Sequence, residues 1–267
     1  MVEEHREAAS RALSPVARRR ELIELVRQRG YVAIDAMARR FAVSAQTIRR
    51  DIRLLAERKE LERLHGGAGL PPGSDTLAYT SRRVRHAREK RAIGRAVARH
   101  IPNATSLFID IGTTTAAVAN ALVDHRGLRI VTNHIAVAVA LSERTDFEIV
   151  LVGGIVRKRD QAVTGEAAVE ALQRYKFAYG VFGIGTIDED GELLDYDYRD
   201  MQLSRAAMAG SRQRLVVMDG SKFNGDAMVR LGHCSQIHHL FTDRRPPRPI
   251  LRVLRAHRVA IHVAGRR

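Results

Sequence analysis

The sequence predicts an α/β chain in two parts, a small, mainly helical head followed by a mostly parallel sheet wrapped by helices. Two short helical patterns joined by a tight turn, with a glycine-ended strand close behind, predict the head. From Leu107 onward, apolar runs of strand length alternate with helical segments, and these predict the sheet. With 267 residues and 45% hydrophobic content, the chain is long enough for both parts to bury a core.

In the head, the run Tyr31 to Phe41 repeats Ile34, Met37, Ala38 and Phe41 at helical spacing and predicts a helix with one apolar face. Ala42-Val43 forms the turn. Ser44 then stands where its hydroxyl can accept from the amides of Gln46 or Thr47 and start the next helix. Within that helix Ile48, Ile52 and Leu55 share the inward stripe, while Ala45, Gln46, Thr47, Arg49, Arg50 and Arg53 share the outward one. A helix opening with a small residue, a carboxamide, a hydroxyl and adjacent arginines can enter a major groove. Gln46 has the bidentate geometry for adenine, an arginine can pair with guanine, and Thr47 can donate to a phosphate. A solvated basic face would carry similar residues. What favours recognition is the flap behind it: Leu61 to Leu64, then Gly66 and Gly67, predict a strand and a tight turn from which Arg63 and His65 reach a phosphate or the minor groove. The head therefore reads as a winged helix-turn-helix, with Ser44, Ala45, Gln46, Thr47, Arg49, Arg50, Arg53, Arg63 and His65 as candidate contacts to double-stranded DNA.

Charge supports that reading. The net charge of +15 is unevenly placed: residues 101–243 hold 14 basic and 18 acidic groups, whereas residues 244–267 hold 8 basic and none acidic. Basic flanks around a slightly acidic middle suit a DNA-contacting end joined to a globular sensor, although an arginine-rich tail is also an ordinary solvated surface. A single cysteine, Cys234, excludes an internal disulfide framework and fits a reducing cytoplasm. No apolar stretch is long enough to span a membrane, and Met1 to Pro15 is polar rather than a signal peptide. His233, Cys234, His238 and His239 lack the regular spacing of structural zinc ligands, so no metal is expected. The stretch from Gly66 to Ser81 is rich in loop formers. The expected divisions are a disordered arm at 1–15, the winged helix-turn-helix at 16–70, a linker at 71–84 and a sensor at 85–267.

In the sensor, a helix from Arg88 to His100 leads into strands expected at Leu107–Ile111, Leu128–Thr132, Phe147–Val152, Ala178–Gly183, Leu215–Asp219 and His239–Thr242. Ligands of such sheets bind beyond the carboxyl ends of the strands. The first five of those ends are loops of small residues, hydroxyls or a carboxamide, and one holds a lysine. A small phosphorylated polyol fits: Gly112, Thr113, Thr114 and Thr115, with Lys222, receive the phosphate, and Asp110, Asn133 or Asp197 accept hydroxyl protons. Thr132, Gly153, Gly154, Gly183 and Asp219 complete the candidate set. Any one of these loops is more simply a turn that every such sheet needs; the coincidence of five carries the reading. A Walker-type loop is absent, and Gly183-Ile184-Gly185 lacks the third glycine of a dinucleotide fingerprint, so neither ATP nor NAD is expected as a cofactor.

Val43-Ser44, Thr47-Ile48-Arg49-Arg50-Asp51 and Arg63-Leu64-His65-Gly66-Gly67-Ala68 resemble the DNA-reading hallmark of DeoR-type bacterial transcription regulators. Ile52 replaces the family's usual leucine, and Lys59-Glu60 stands where a glycine is common. The resemblance continues through Asp110-Ile111-Gly112-Thr113-Thr114, Thr132-Asn133, Gly153-Gly154, Gly165-Glu166-Ala167 and Asp219-Gly220-Ser221-Lys222-Phe223. It implies a repressor with a sugar-phosphate-isomerase-like sensor, released from its operator by a phosphorylated effector. The string Leu194-Asp195-Tyr196-Asp197-Tyr198-Arg199-Asp200 narrows the implied effector to glycerol 3-phosphate or a related compound. It further implies a homodimer or homotetramer. A rival remains, a sugar-phosphate isomerase using Asp110, Asp219 and Lys222 as base and enediolate stabiliser. Fold-level likeness does not carry activity, and a fused DNA reader makes sense when ligand binding is a signal.

Overall fold

A computed structural model describes residues 13–29, 31–64, 66–69 and 79–265. The chain divides into two compact units between Arg85 and His86.

The first unit opens with helix α1 (Pro15–Arg29) and strand β1 (Tyr31–Ala33), continues through helices α2 (Ile34–Phe41) and α3 (Ala45–Glu57), and closes with strands β2 (Glu62–Leu64) and β3 (Gly67–Gly69) and helix α4 (Tyr79–Val84). Its core packs Leu22, Val26, Met37, Phe41, Ile48, Ile52, Leu55 and Leu61. The stripe Ile48, Ile52 and Leu55 faces inward as its spacing requires. Two expectations change. Tyr31–Ala33 is not the start of a helix but the third strand of the wing, pairing antiparallel with β3 from Tyr31 opposite Gly69 to Ala33 opposite Gly67. Its helical periodicity is overridden because cross-strand pairing satisfies the same backbone groups and buries Val32. The linker reading of 71–84 also narrows, since Tyr79–Val84 is helical with Tyr79 buried. Residues 1–12 of the expected arm and 70–78 of the linker lie outside the described residues.

The second unit is a seven-stranded parallel sheet. Helix α5 (Ala87–Ala98) leads into β4 (Ser106–Ile109), α6 (Thr113–Ala121), β5 (Arg129–Thr132), α7 (Ile135–Ser142) and β6 (Glu148–Leu151). A hairpin, β7 (Ile155–Arg157) and β8 (Ala162–Thr164), follows. Then come α8 (Glu166–Gln173), β9 (Phe177–Gly183), β10 (Thr186–Ile187), β11 (Glu192–Asp195), α9 (Tyr198–Gly210), β12 (Ser211–Val217), β13 (Val229–His233), β14 (His239–Thr242), α10 (Arg248–Ala256) and β15 (Ala260–Val263). Alternate residues face opposite layers. Leu107 and Ile109 pack with α5, α6 and α7, whereas Phe108 packs with α8, α9 and α10. Both faces are buried, which is why the strands read as near-continuous apolar runs.

The arginine-rich end is part of this fold rather than a tail. Ile250, Leu251 and Leu254 bury one face of α10 while Arg248, Arg252 and Arg255 are exposed, and β15 pairs parallel with β14. Charge dominates the composition there and hides the apolar stripe. A small antiparallel sheet of β10, β11 and β13, and the β7–β8 hairpin, are likewise additions to the expected strands.

The strand order is β15-β14-β12-β9-β4-β5-β6. The chain therefore builds outward from β4 through β5 to β6, then returns to the other side of β4 with β9 and continues through β12, β14 and β15. The reversal lies between β4 and β9. At such a reversal the flanking connections leave to opposite faces and open a crevice beyond the carboxyl ends of the strands.

Candidate DNA-reading face and candidate effector site

Ser44 caps α3: its hydroxyl accepts from the Thr47 amide at 3.1 Å and lies 2.9 Å from the Thr47 hydroxyl. Ala42, in the left-handed region at φ 50°, ends α2 and sets the tight turn. Gln46, Arg49, Arg50 and Arg53 are exposed together, while Ala45 and Thr47 are half-buried beside the cap. Arg63 projects from the wing strand β2 and is exposed. His65 lies outside the described residues. One anchoring residue escapes the sequence reading. Asp51 is buried at 4% exposure and receives Arg18 Nε at 2.7 Å, with Arg19 at 3.6 Å, tying α3 to α1 behind the reading face. Its place beside two arginines in the motif hides that role. The wing is tied down as well, by an ion pair between Glu62 and Arg85.

At the strand reversal, Asp110 directly follows β4 and is 1% exposed. Its carboxylate accepts from the Ile111 amide at 2.8 Å and the Ser204 hydroxyl at 2.6 Å. Burial pushes the carboxyl from 3.8 up to about 8; the Ser204 bond opposes this and the Asp200 charge reinforces it. Gly112 precedes α6 at φ 149°, a conformation that favours glycine. Thr113 is half-buried, and the Thr115 hydroxyl donates to the Gly112 carbonyl at 2.9 Å. Thr114 is 3% exposed, and among the described residues its hydroxyl has no partner.

Asn133, after β5, is fully buried, and among the described residues neither atom of its carboxamide has a hydrogen-bond partner. A buried amide with nothing to bond is unfavourable by about 1–3 kcal/mol. Its neighbour Thr132 is committed to the fold: the hydroxyl donates to Ile109 at 2.7 Å and accepts from the His134 amide at 3.1 Å.

The remaining loops divide. Gly183 ends β9 against the β4–α6 turn, where an added Cβ would lie 3.2 Å from the Ile111 carbonyl oxygen. Lys222, in a short helical turn after β12, donates to the Ile184 carbonyl just beyond Gly183. Asp219 caps that turn, accepting from the Ser221 amide at 3.2 Å. Burial would raise the Asp219 carboxyl, but the Lys222 charge and the Ser221 bond outweigh it and hold it below the usual range. The loops after β4, β5, β9 and β12 thus surround the reversal. Gly153 and Gly154 instead turn the edge strand β6 into the hairpin, and a Cβ on Gly154 would lie 2.6 Å from the Thr164 carbonyl oxygen.

Asp197 belongs to an ion cluster that no motif announces. It caps α9 through the Arg199 amide at 3.0 Å and meets Arg157 and Arg159 at 2.8 Å each. Burial would raise its carboxyl, but bonds from Arg199 and the Arg157 charge hold it low. Arg157 also binds Asp160 at 2.7 Å and Asp200 at 2.8 Å, fastening the hairpin to α9. Asp197 is therefore occupied by arginines rather than open to a hydroxyl. Arg157 lies 40 and 43 residues from Asp197 and Asp200, which is why spacing does not reveal the tie.

His233, Cys234 and His257 bring potential ligand atoms within 4.8 Å of one another. His233 is a capping residue: its Nδ1 accepts from the Ser235 amide at 3.1 Å, which places the proton on Nε2, 3.0 Å from the Asp190 carbonyl. The one lone pair of that tautomer, on Nδ1, is already engaged by the Ser235 amide.

A winged reader followed by a parallel α/β unit with a receptive strand reversal defines a DNA-binding regulator with a sensor. The chain belongs to the DeoR family: residues 18–72 match the DeoR-like helix-turn-helix domain and residues 85–244 the DeoR C terminal sensor domain. It is 43% identical over 242 residues to the glycerol-3-phosphate regulon repressor of Escherichia coli, covering 91% of this chain and 96% of that one. It is 45% identical over 229 residues to the repressor of the same name from Haemophilus influenzae, covering 86% and 89%. In fold it is similar to a chain of the tetrameric eIF2B-beta2-delta2 complex from C. thermophilum, with a TM-score of 0.51 and 11% identity over 94% of this chain and 97% of that one.

Proposed function

We propose that the chain is an operator-binding repressor of a glycerol or glycerol-3-phosphate operon, and that glycerol 3-phosphate or a closely related phosphorylated polyol releases it from DNA. The observation that carries the effector reading is the buried, unpartnered carboxamide of Asn133 beside the strand reversal. In this reading the amides of the Gly112–Thr115 turn and the Lys222 ammonium receive the phosphate, and Asn133 and the Thr114 hydroxyl bond the polyol. Asp110, held neutral by burial at pH 7, adds no negative charge beside an incoming anion. An isomerase base would instead need to be ionised. The relatives named above are repressors, and this chain is read with them as a regulator rather than an enzyme.

Outside the sensor, Gln46, Arg49, Arg50, Arg53 and Arg63, with the Ser44-capped helix start, Ala45 and Thr47, form the operator-reading face. Two or more copies present paired heads to operator half-sites, so each head need bind only weakly. No described helix is long and apolar enough to cross a membrane. The test is an operator-release titration of the full chain with glycerol 3-phosphate. Lys222→Ala should bind operator as well as the parent chain and fail to release it; normal release by that variant contradicts the proposed site.

A further inference from the structure

Helix α5 carries one charged side chain in its buried face. Lys90 is 5% exposed, in line with Ile93, Gly94 and Val97. A buried ammonium requires a nearby anion. Asp219 lies within its electrostatic reach: burial would raise that carboxyl, and the Lys90 charge, after Lys222 and the Ser221 bond, helps to hold it low. The same helix is pressed into the wall of the candidate effector site. A Cβ at Gly94 would lie 2.4 Å from the Ala117 carbonyl oxygen, so α5 and α6 touch backbone to backbone. Gly94 is one helical turn from Lys90, and Ala117 is one turn from Thr113. Both helices start at the carboxyl edge of the sheet: α6 leaves that edge after β4, and α5 must finish at the opposite edge to feed β4. Lys90 therefore stands level with the Gly112–Thr115 turn.

We propose that Lys90 is a further anion ligand of the effector site, exchanging the Asp219 carboxylate for the effector's phosphate when the site fills. The proposal rests on the phosphorylated-polyol reading above. A phosphate between Lys90 and Lys222 meets two ammonium groups in addition to the amides at the start of α6. Because α5 is the first helix after the division at Arg85 and His86, the phosphate-sensing lysine lies on the segment that follows the DNA-reading unit in the chain.

The test is calorimetric titration of the full chain with glycerol 3-phosphate at pH 5.5 and pH 7.5. Over that interval the phosphate acquires its second negative charge, with a pKa of about 6. The parent chain gains affinity as the charge is added. Lys90→Met binds at least tenfold more weakly at pH 7.5 and loses most of that gain, Lys90→Arg stays within about threefold of the parent, and operator binding without effector is unchanged in both. If Lys90→Met does not fold, Lys90→Gln is read in the same way. Parent-like affinity in the Met or Gln variant overturns the proposal, as does weaker binding with the full pH gain, which marks a structural lysine. A parent chain that binds no glycerol 3-phosphate instead sinks the effector reading, and this inference with it.

Discussion

The two units treat polar groups in opposite ways. On the reading face, Gln46, Arg49, Arg50 and Arg53 stand in solvent, and the only strongly buried ionic group of α3, Asp51, is already paired with Arg18. Around the strand reversal of the sensor, Asp110, Thr114 and Asn133 are buried, and among the described residues the Asn133 carboxamide and the Thr114 hydroxyl have no partner. The difference matches what each is read as binding. A DNA duplex is large and charged, so exposed cations can grip it through counterion release with little local preorganisation. A small solute offers few contacts, and a site must hold its donors and acceptors fixed and dry beforehand to bind it.

The largest effect should come from breaking the support behind the reading face. Asp51→Ala leaves Arg18 buried without its partner and should destabilise the first unit by about 3–5 kcal/mol, seen as an earlier thermal transition with operator binding lost alongside it. Arg50→Ala removes only an exposed contact. It should weaken operator binding by about 1–3 kcal/mol, lower the salt dependence by about one charge and leave the melting temperature in place.

In the sensor the expectation reverses, because function and stability oppose each other there. Asn133→Leu replaces an unsatisfied amide with an apolar side chain of similar size. Thermal melting should hold or rise, by up to about 1–3 kcal/mol, while release of operator by glycerol 3-phosphate disappears. A marked loss of stability would mean that Asn133 is a structural residue. The smallest effect is one of pH. A carboxyl raised by burial from 3.8 to about 8 contributes stability that is full below pH 3.8 and is lost progressively as pH rises from there to about 8. Ionised Asp110 also repels an anion, so effector affinity should fall above pH 8 in the parent chain and stay flat in Asp110→Asn.

How far the sequence speaks also differs between the two regions. The recognition helix is local: the Ser44 cap, the Ile48, Ile52 and Leu55 stripe and the exposed arginines follow from spacing alone, and the structure places them so. The loop ends Asp110, Asn133 and Gly183 were legible because short strands in a parallel sheet all present their carboxyl ends on one edge. What spacing does not reveal is long-range. Arg157 with Asp197 and Asp200, Ser204 with Asp110, and Lys90 near Asp219 are each joined only by the fold. Nor does spacing separate Thr132, whose hydroxyl serves the backbone, from Asn133 beside it, whose amide does not. At Tyr31–Ala33 and over residues 244–265, pairing and packing prevailed over periodicity and composition.

The central claim is that occupancy of the strand reversal and grip on DNA are thermodynamically linked. Linkage must be reciprocal. The most direct measurement is the affinity of the full chain for glycerol 3-phosphate with and without saturating operator DNA. If effector weakens operator binding about a hundredfold, a coupling of roughly 2.7 kcal/mol, operator must weaken effector binding by the same factor. Equal effector affinity in the two states would contradict the account.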